Sequence, residues 1–237
     1  MAAERNARDT SPDPLRERLV LALDMDDIVA ATRLLRELRP WFGVVKVGLE
    51  LFTATGPDAV LAVAGDGFKV FVDLKLHDIP TTVGRTAAVV GALGASYLTM
   101  HAAGGPEMLS AGVHGLAEGA RRAGLDPPVA LAVTILTSEA RASATLLAGR
   151  VAAAVEAGCG GVVCAASDAA DVKALAPQLL VVVPGIRLSG GDVHDQARPA
   201  TPSEALAAGA DLLVVGRAVT AAADPRQAAA ALVASLG

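Results

Sequence analysis

Short runs of apolar, mostly β-branched residues alternate along the chain with longer stretches rich in alanine and leucine. The runs are continuous and do not alternate with polar residues, which is typical of strands in a parallel sheet covered on both faces. Eight such strands are predicted, at 19–23, 44–47, 69–74, 97–101, 129–133, 161–164, 179–183 and 212–215. Eight helices are predicted between and after them, at 27–38, 57–64, 82–93, 106–123, 144–157, 168–175, 203–208 and 225–236.

Eight strand–helix units in a chain of 237 residues predict an α/β fold of one domain, a (β/α)8 TIM barrel. A doubly wound sheet is the alternative. It lacks support because Asp24, and not a glycine-rich dinucleotide-binding turn, follows the first strand. Residues 1–17 are charged and contain proline, so we expect a disordered N-terminal tail there and the barrel at 18–237.

The composition restricts the possible partners and cofactors. The net charge is −5 without a basic stripe, which argues against nucleic-acid binding. No apolar stretch is long enough to span a membrane, and the N-terminus has no apolar signal region, so we expect a cytoplasmic protein without a membrane partner. Cys159 and Cys164 are the only two cysteines and lack a cluster of further ligands, so we predict no metal site.

Charged residues interrupt two of the apolar runs. Lys46 lies within the second predicted strand, Asp73 and Lys75 lie at the end of the third, and Asp78 follows it. Side chains two positions apart on a strand point to the same side, so Asp73 and Lys75 should project together. Buried charges are tolerated only when they are paired, and neighbouring carboxylates keep a lysine protonated. The pattern therefore predicts a charge network whose protonated lysine donates a proton to a carbanion. Schiff-base formation is disfavoured, because it needs a neutral lysine.

Further polar residues follow other predicted strands, where a TIM barrel carries its active site. The loops after strands seven and eight usually bind phosphate, and here they supply Arg187 and Arg217 beside glycines. The polar, glycine-containing stretch 189–200 is typical of a lid, and Gln196 within it should reach the phosphate on closure. The remaining candidates are Asp24 after strand one, Thr137 and Ser138 after strand five, and Gly216 after strand eight.

The end of the third strand carries the clearest motif, Asp73-Leu74-Lys75-Leu76-His77-Asp78-Ile79-Pro80-Thr81-Thr82. It resembles the D-x-K-x-x-D-I-P-N-T motif of the orotidine 5′-phosphate decarboxylase family, bacterial type, with Thr81 in place of the asparagine. Thr81 lies beside Thr82, which the motif retains. We therefore expect the change at Thr81 to alter a loop contact and not to abolish activity. Further matches follow in the same order: Ala22-Leu23-Asp24, Lys46-Val47-Gly48, His101-Ala102-Ala103-Gly104-Gly105, Val133-Thr134-Ile135-Leu136-Thr137-Ser138, Gly161-Val162-Val163-Cys164, Pro184-Gly185-Ile186-Arg187, Gly191-Asp192 with Gln196, and Gly216-Arg217-Ala218-Val219-Thr220.

The resemblance implies decarboxylation of orotidine 5′-monophosphate (OMP) to UMP and CO2 in de novo pyrimidine biosynthesis, without a cofactor. Lys75 would protonate C6 of the pyrimidine, and Asp73 would lie against the substrate carboxylate. Lys46 would pair with the acids and touch the ribose. Two accounts of the role of Asp73 stay open, electrostatic stress on the carboxylate and stabilisation of the transition state.

The resemblance also implies roles for the other candidates. Asp78, Ile79 and Thr82 would reach into the active site of the neighbouring subunit, so that a homodimer shares its sites. Asp24 would bind the ribose hydroxyls. Thr137 and Ser138 would lie near the base, and the phosphate would be held by Arg187, Gln196, Gly216 and Arg217.

Two other functions remain as alternatives. The first is a related magnesium-dependent barrel lyase, either a sugar-phosphate decarboxylase or a hexulose-phosphate synthase. The continuation Ile79-Pro80, the pair Thr137-Ser138 and Gln196 in the predicted lid argue against it. The second is a non-enzymatic protein that binds a phosphosugar or nucleotide. It is disfavoured because an unused set of buried charges would only destabilise the fold.

Overall fold

The computed structural model describes residues 15–137, 143–187 and 200–236. Eight parallel strands form a closed barrel in the order of the sequence, which confirms the predicted (β/α)8 fold. The first strand pairs with both the second and the last, and this closure excludes a doubly wound sheet. The strands are β1 (Leu19–Leu23), β2 (Val44–Gly48), β3 (Lys69–Leu76), β4 (Tyr97–His101), β5 (Val129–Val133), β6 (Gly161–Val163), β7 (Leu180–Val183) and β8 (Leu212–Val215).

Ten helices accompany the strands in the described part of the chain: α1 (Ile28–Leu38), α2 (Leu49–Thr55), α3 (Asp58–Gly65), α4 (Pro80–Ala92), α5 (Gly105–Ala123), α6 (Ala144–Glu156), α7 (Ala166–Leu175), α8 (Pro202–Ala207), α9 (Arg217–Thr220) and α10 (Pro225–Ala234). The eight predicted helices are present, with ends shifted by two residues at most. The sequence patterns did not predict α2 and α9. Short 3-10 helices lie at Arg16–Arg18 and Ala102–Gly104.

The N-terminal end of the described chain packs on the bottom of the barrel. Residues 1–14 of the predicted tail lie outside the described residues. The Glu17 carboxylate pairs with Lys69 Nζ at 2.7 Å, and the Arg18 guanidinium donates hydrogen bonds to the carbonyls of Ala210 and Asp211. Residues 15–17, which were predicted to belong to the tail, therefore pack on the barrel.

The strands bury side chains on both faces. Along β1, Leu19, Leu21 and Leu23 pack with helix residues, whereas Val20 and Ala22 belong to a separate cluster. That second cluster is the barrel interior, and it consists of Val20, Ala22, Val44, Phe71, Leu131, Val133, Val163, Val182, Leu212 and Val214. Lys46 and Asp73 each lie two residues after a member of the interior cluster on the same strand, so both charges sit at the top of the barrel interior.

Helices α4 and α5 approach so closely that only glycine fits at their crossing. A Cβ atom on Gly115 would lie 2.0 Å from the Gly84 carbonyl oxygen, and one on Gly119 would lie 1.9 Å from the Ala88 carbonyl oxygen. These distances are far below van der Waals contact, so larger side chains would force the helices apart. The crossing therefore fixes α4, the helix that directly follows Asp78 and Ile79.

Candidate active site

Four charged side chains form a continuous chain of ion pairs at the top of the barrel. Lys46 Nζ lies 2.9 Å from Asp24 Oδ1 and 3.5 Å from Asp73 Oδ2. Lys75 Nζ lies 2.9 Å from both oxygens of Asp73. Charges alternate along the chain, from Asp24 through Lys46 and Asp73 to Lys75. Each lysine is therefore matched by a carboxylate, as a buried set of charges requires.

The contact between Asp73 and Lys75 was predicted, but the backbone that produces it was not. The strand extends to Leu76, and its pairing with β4 is irregular between Val72 and Leu76. Lys75 adopts a left-handed conformation with φ of 47°, the only positive φ of a non-glycine residue in the described ranges. The assumption of a regular strand with simple alternation was therefore wrong at this point. Strained backbone of this kind is common at active sites.

Opposing effects set the charge states of the two most buried members. Burial favours a neutral Asp73, but the ammonium groups of Lys46 and Lys75, together with hydrogen bonds from Lys75 and Thr99, outweigh it and lower the pKa of the carboxyl. Burial likewise disfavours charge on Lys46, but the carboxylates of Asp73 and Asp24 outweigh it and raise the pKa of the amine. Both side chains are therefore ionised at neutral pH.

A cavity opens above this charged chain and extends to two arginines. Thr137 and apolar residues line it, together with Arg187 and Arg217 from the loops after β7 and β8. The full lining consists of Ala22, Asp24, Lys46, Phe71, Asp73, Lys75, Val133, Ile135, Leu136, Thr137, Val163, Pro184, Gly185, Arg187, Val214, Gly216 and Arg217. The cavity thus combines paired charges, apolar side chains and two guanidinium groups in its lining.

The two arginines form a positive site. Arg187 is buried, its backbone N–H donates to the Ala200 carbonyl at 2.9 Å, and its guanidinium donates to the Ile186 carbonyl at 2.9 Å. Burial and the nearby positive charge of Arg217 lower the pKa of Arg187. A bound anion would relieve this repulsion, and guanidinium groups match the geometry of a phosphate. Gly216 lies directly before Arg217, at a point where the chain passes close to Asp24.

Three predicted site residues lie apart from this cavity in the same chain. Asp78 is exposed, and its carboxylate accepts a hydrogen bond from the backbone N–H of Ile79 at 2.7 Å. The side chain of Ile79 is also exposed, at 65%, and Thr82 is exposed on the first turn of α4. Asp78 and Ile79 line a separate surface depression together with His77, Pro80, Ala103, Gly104, Glu107 and Met108. A single chain therefore does not bring Asp78 to Lys75.

Two predicted site residues, Ser138 and Gln196, lie outside the described residues. Their predicted contacts with the base and the phosphate therefore stay predictions.

The sequence patterns did not predict a role for Thr99. Its buried hydroxyl contacts Asp73 Oδ1 at 2.9 Å and the backbone nitrogen of Lys75 at 2.9 Å. The only signal for it in the sequence is one hydroxyl residue between Leu98 and Met100 in an apolar strand.

Within residues 15–137, 143–187 and 200–236, no group of three or more His, Cys, Asp or Glu side chains is arranged to hold a metal ion. No helix in those same ranges combines the length and the apolar character needed to cross a membrane.

Known proteins resemble this chain along almost its whole length. The sequence profile of the "Orotidine 5'-phosphate decarboxylase / HUMPS family" matches residues 17–232. A protein of Anaeromyxobacter sp. (strain K) named orotidine 5'-phosphate decarboxylase is 48% identical over 231 residues, which cover 93% of this chain and 98% of that protein. One from Moorella thermoacetica with the same name is 42% identical, with coverages of 93% and 92%. The crystal structure of orotidine 5'-phosphate decarboxylase from Lactobacillus acidophilus superposes with a TM-score of 0.78 at 33% identity, over 93% of this chain and 100% of that one.

Proposed function

The chain belongs to the orotidine 5′-phosphate decarboxylase / HUMPS family, and we infer that it is a carboxy-lyase that converts OMP to UMP and CO2 in pyrimidine biosynthesis. The observation that carries this function is a single cavity lined both by the alternating chain of charges and by two arginines. Such a cavity fits a substrate that carries both a reacting carboxylate and a phosphate.

The charged chain accounts for the chemical step. When the bond between C6 and the carboxylate carbon breaks, CO2 leaves and the electron pair stays on C6. Lys75 donates a proton from Nζ to that carbon, which gives UMP and leaves a neutral amine that solvent reprotonates. Asp73 holds Lys75 Nζ through both carboxylate oxygens, and we propose that it faces the substrate carboxylate that is lost. Positioned proton transfer of this kind contributes about 10²–10⁴-fold to a rate.

The rest of the cavity binds the nucleotide. Asp24 and Lys46 bind the ribose hydroxyls, and Arg187, Gly216 and Arg217 bind the phosphate together with Gln196. Thr137 lines the cavity, and we propose that it contacts the base together with Ser138. The apolar residues around Thr137 exclude water from the pyrimidine, which strengthens the electrostatic interactions at the reacting carbon.

The assembly proposed for this function is a homodimer with shared active sites. In this assembly Asp78, Ile79 and Thr82 reach the cavity of the partner subunit. Their exposure at the start of α4, away from their own cavity, supports this arrangement. An isoleucine that is 65% exposed beside a carboxylate is suited to an interface.

The enzyme acts in the cytoplasm in this proposal, because its phosphorylated substrate does not cross a membrane unaided. The net charge of −5 supports the further proposal that neither nucleic acid nor a membrane is a partner.

Removal of the Arg217 guanidinium should weaken the hold on the phosphate. We expect Arg217→Ala to lower kcat/KM for OMP by about 10- to 100-fold, in line with ~1.5–3 kcal/mol for a charged hydrogen bond. Steady-state kinetics with OMP and with orotidine, which lacks the phosphate, measures this effect. Binding energy from the phosphate also supports the chemical step, so kcat should fall as well as KM rise.

The same experiment needs a matched control. Arg122→Ala removes an arginine whose side chain is 69% exposed on α5 and should leave both substrates unaffected. An unchanged ratio of kcat/KM for OMP and orotidine in Arg217→Ala would show that Arg217 does not bind the phosphate.

Turnover should need no metal ion. Loss of OMP absorbance is measured with purified enzyme in buffer without added metal, before and after treatment with EDTA. Full activity after EDTA is expected, because Lys75 supplies the proton and arginines bind the phosphate. A protein that does not consume OMP at all would favour the magnesium-dependent sugar-phosphate lyases, which the names of the relatives do not favour, and OMP turnover that EDTA stops and Mg²⁺ restores would show that the reaction needs a metal ion.

A further inference from the structure

Thr99 lies at the centre of the active site although its side chain does not line the cavity. It is fully buried in β4, and its hydroxyl lies 2.9 Å from Asp73 Oδ1 and 2.9 Å from the backbone nitrogen of Lys75. An ionised carboxylate only accepts hydrogen bonds, and a backbone N–H only donates them. The hydroxyl must therefore donate its single proton to Asp73 and accept from Lys75, so its orientation is fixed.

The backbone around Lys75 depends on this hydroxyl. Val72 pairs with Leu98 and Leu76 pairs with Met100, so three residues of β3 lie opposite Thr99 alone. The Lys75 N–H is displaced from the regular ladder by this irregularity, and the Thr99 hydroxyl takes the place of a backbone carbonyl as its acceptor. Because Lys75 is in the left-handed region, its conformation persists only where the surroundings hold it.

Thr99 also fixes the direction of the Asp73 carboxylate. Oδ1 accepts one hydrogen bond from Thr99 and another from Lys75 Nζ, while Oδ2 faces both Lys75 and Lys46. The hydroxyl is the only one of these donors that is neutral and fully buried, so it orients the carboxylate without changing the charge balance. The Thr99 hydroxyl therefore fixes both partners of the ion pair. It binds the backbone N–H of Lys75 and the Asp73 carboxylate that pairs with the Lys75 ammonium group.

We propose that Thr99 is a positioning residue for the decarboxylation, and that its hydroxyl sets the geometry between the Asp73 carboxylate and the Lys75 ammonium. This inference rests on the proposed function, since it names a residue that acts on the proton donor of that reaction. Thr99 touches neither the reacting atoms nor the phosphate site. Its loss should therefore lower kcat and leave the binding of the nucleotide nearly unchanged, because placing a reacting group is worth more in the transition state than in the ground state.

Thr99→Val tests the hydroxyl, because valine keeps the branched shape and removes both hydrogen bonds. We expect kcat to fall by about tenfold or more while KM for OMP stays within about threefold. Thr99→Ser restores the hydroxyl and should keep kcat within about threefold of the wild type. Thr99→Ala provides a second deletion of the hydroxyl if the valine variant does not fold, with the folded state checked by circular dichroism and thermal unfolding.

Thr134→Val is the matched control. Thr134 is also fully buried at the top of the barrel, but its hydroxyl donates to the Val163 carbonyl and has no hydrogen bond to a charged side chain among the described residues. This variant should lose stability to a similar extent and keep its kcat. A Thr99→Val or Thr99→Ala enzyme with kcat within about twofold of the wild type, or a serine variant as slow as the valine variant, would overturn the proposal.

The charge of Asp73 gives a readout that does not depend on turnover. Thr99 donates to the ionised carboxylate and so helps to keep the pKa of Asp73 low; without the hydroxyl the folded-state pKa should rise toward its ordinary value. NMR titration of the Asp73 carboxyl in the free enzyme should show this rise in Thr99→Val and not in Thr99→Ser or Thr134→Val. An unchanged pKa of Asp73 in Thr99→Val would contradict the positioning role, whereas failure of the wild type to decarboxylate OMP would contradict the proposed function alone.

Discussion

Replacement of Lys75 by alanine should abolish turnover and leave the barrel folded. The variant loses the proton donor for C6 and one of the two ammonium groups that neutralise Asp73. A fall in kcat of two to four orders of magnitude is expected from the loss of a positioned acid, about 10²–10⁴-fold. Steady-state and single-turnover assays with OMP measure this fall. A variant that keeps more than about a tenth of the wild-type kcat, a loss under ~1.4 kcal/mol, would contradict the assignment of Lys75 as the donor.

The fold should survive because Asp73 keeps other partners. Lys46 Nζ at 3.5 Å and the Thr99 hydroxyl at 2.9 Å remain in contact with the carboxylate, and the Lys75 side chain is 34% exposed. The buried acid is therefore not left without a partner, which is the case that destabilises proteins most. Lys69→Ala is the matched control. It removes a lysine from the opposite end of the same strand and should leave kcat unchanged. Among the described residues, the ion pair of Lys69 is with Glu17, far from the cavity lining.

The sequence predicted the barrel because the physical signals for it are local. Continuous β-branched runs define buried parallel strands wherever they occur, and alanine-rich stretches between them define helices. The helix α2 was missed because Leu49 follows the last residue of β2 without a loop, so no turn signal separates the two elements. The four-residue helix α9 is too short to carry a periodic pattern.

The site was predicted from charge placement, but its geometry required contacts between distant parts of the chain. A lysine in apolar sequence signals a paired charge, so the pattern predicted that Lys46 belongs to a charge network, and the structure shows Asp73 as one of its partners. The left-handed conformation of Lys75 could not be predicted from the sequence, because lysine has no preference for positive φ. It depends on Thr99, which is 24 residues away and belongs to the next strand. Similarly, Asp24 completes the charged chain within one subunit, although the sequence pattern drew attention to Asp78.

Mixing two inactive variants should restore activity if each active site is shared across a dimer. The resemblance to the family predicts that Asp78 serves Lys75 of the partner subunit, and Asp78 lies outside the cavity of its own chain. Lys75→Ala and Asp78→Ala should therefore each be inactive alone. In a mixed dimer, one site carries both defects and the other has a native lysine and a native aspartate. Two-fold symmetry makes these contacts reciprocal, so every mixed dimer contains one intact site.

The expected recovery follows from random exchange of subunits. Half of the dimers are mixed, and each has one intact site of two, so activity should reach about a quarter of the wild-type level per total site. Exchange is confirmed by native mass spectrometry with subunits of different mass, and a mixture of Lys75→Ala with Lys46→Ala is the control. Lys46 and Lys75 meet on the same Asp73 within one chain, so each site in that mixed dimer keeps one defect and no activity should return. If Lys75→Ala and Asp78→Ala exchange subunits and remain inactive, Asp78 acts in the site of its own chain and the shared-site arrangement is wrong.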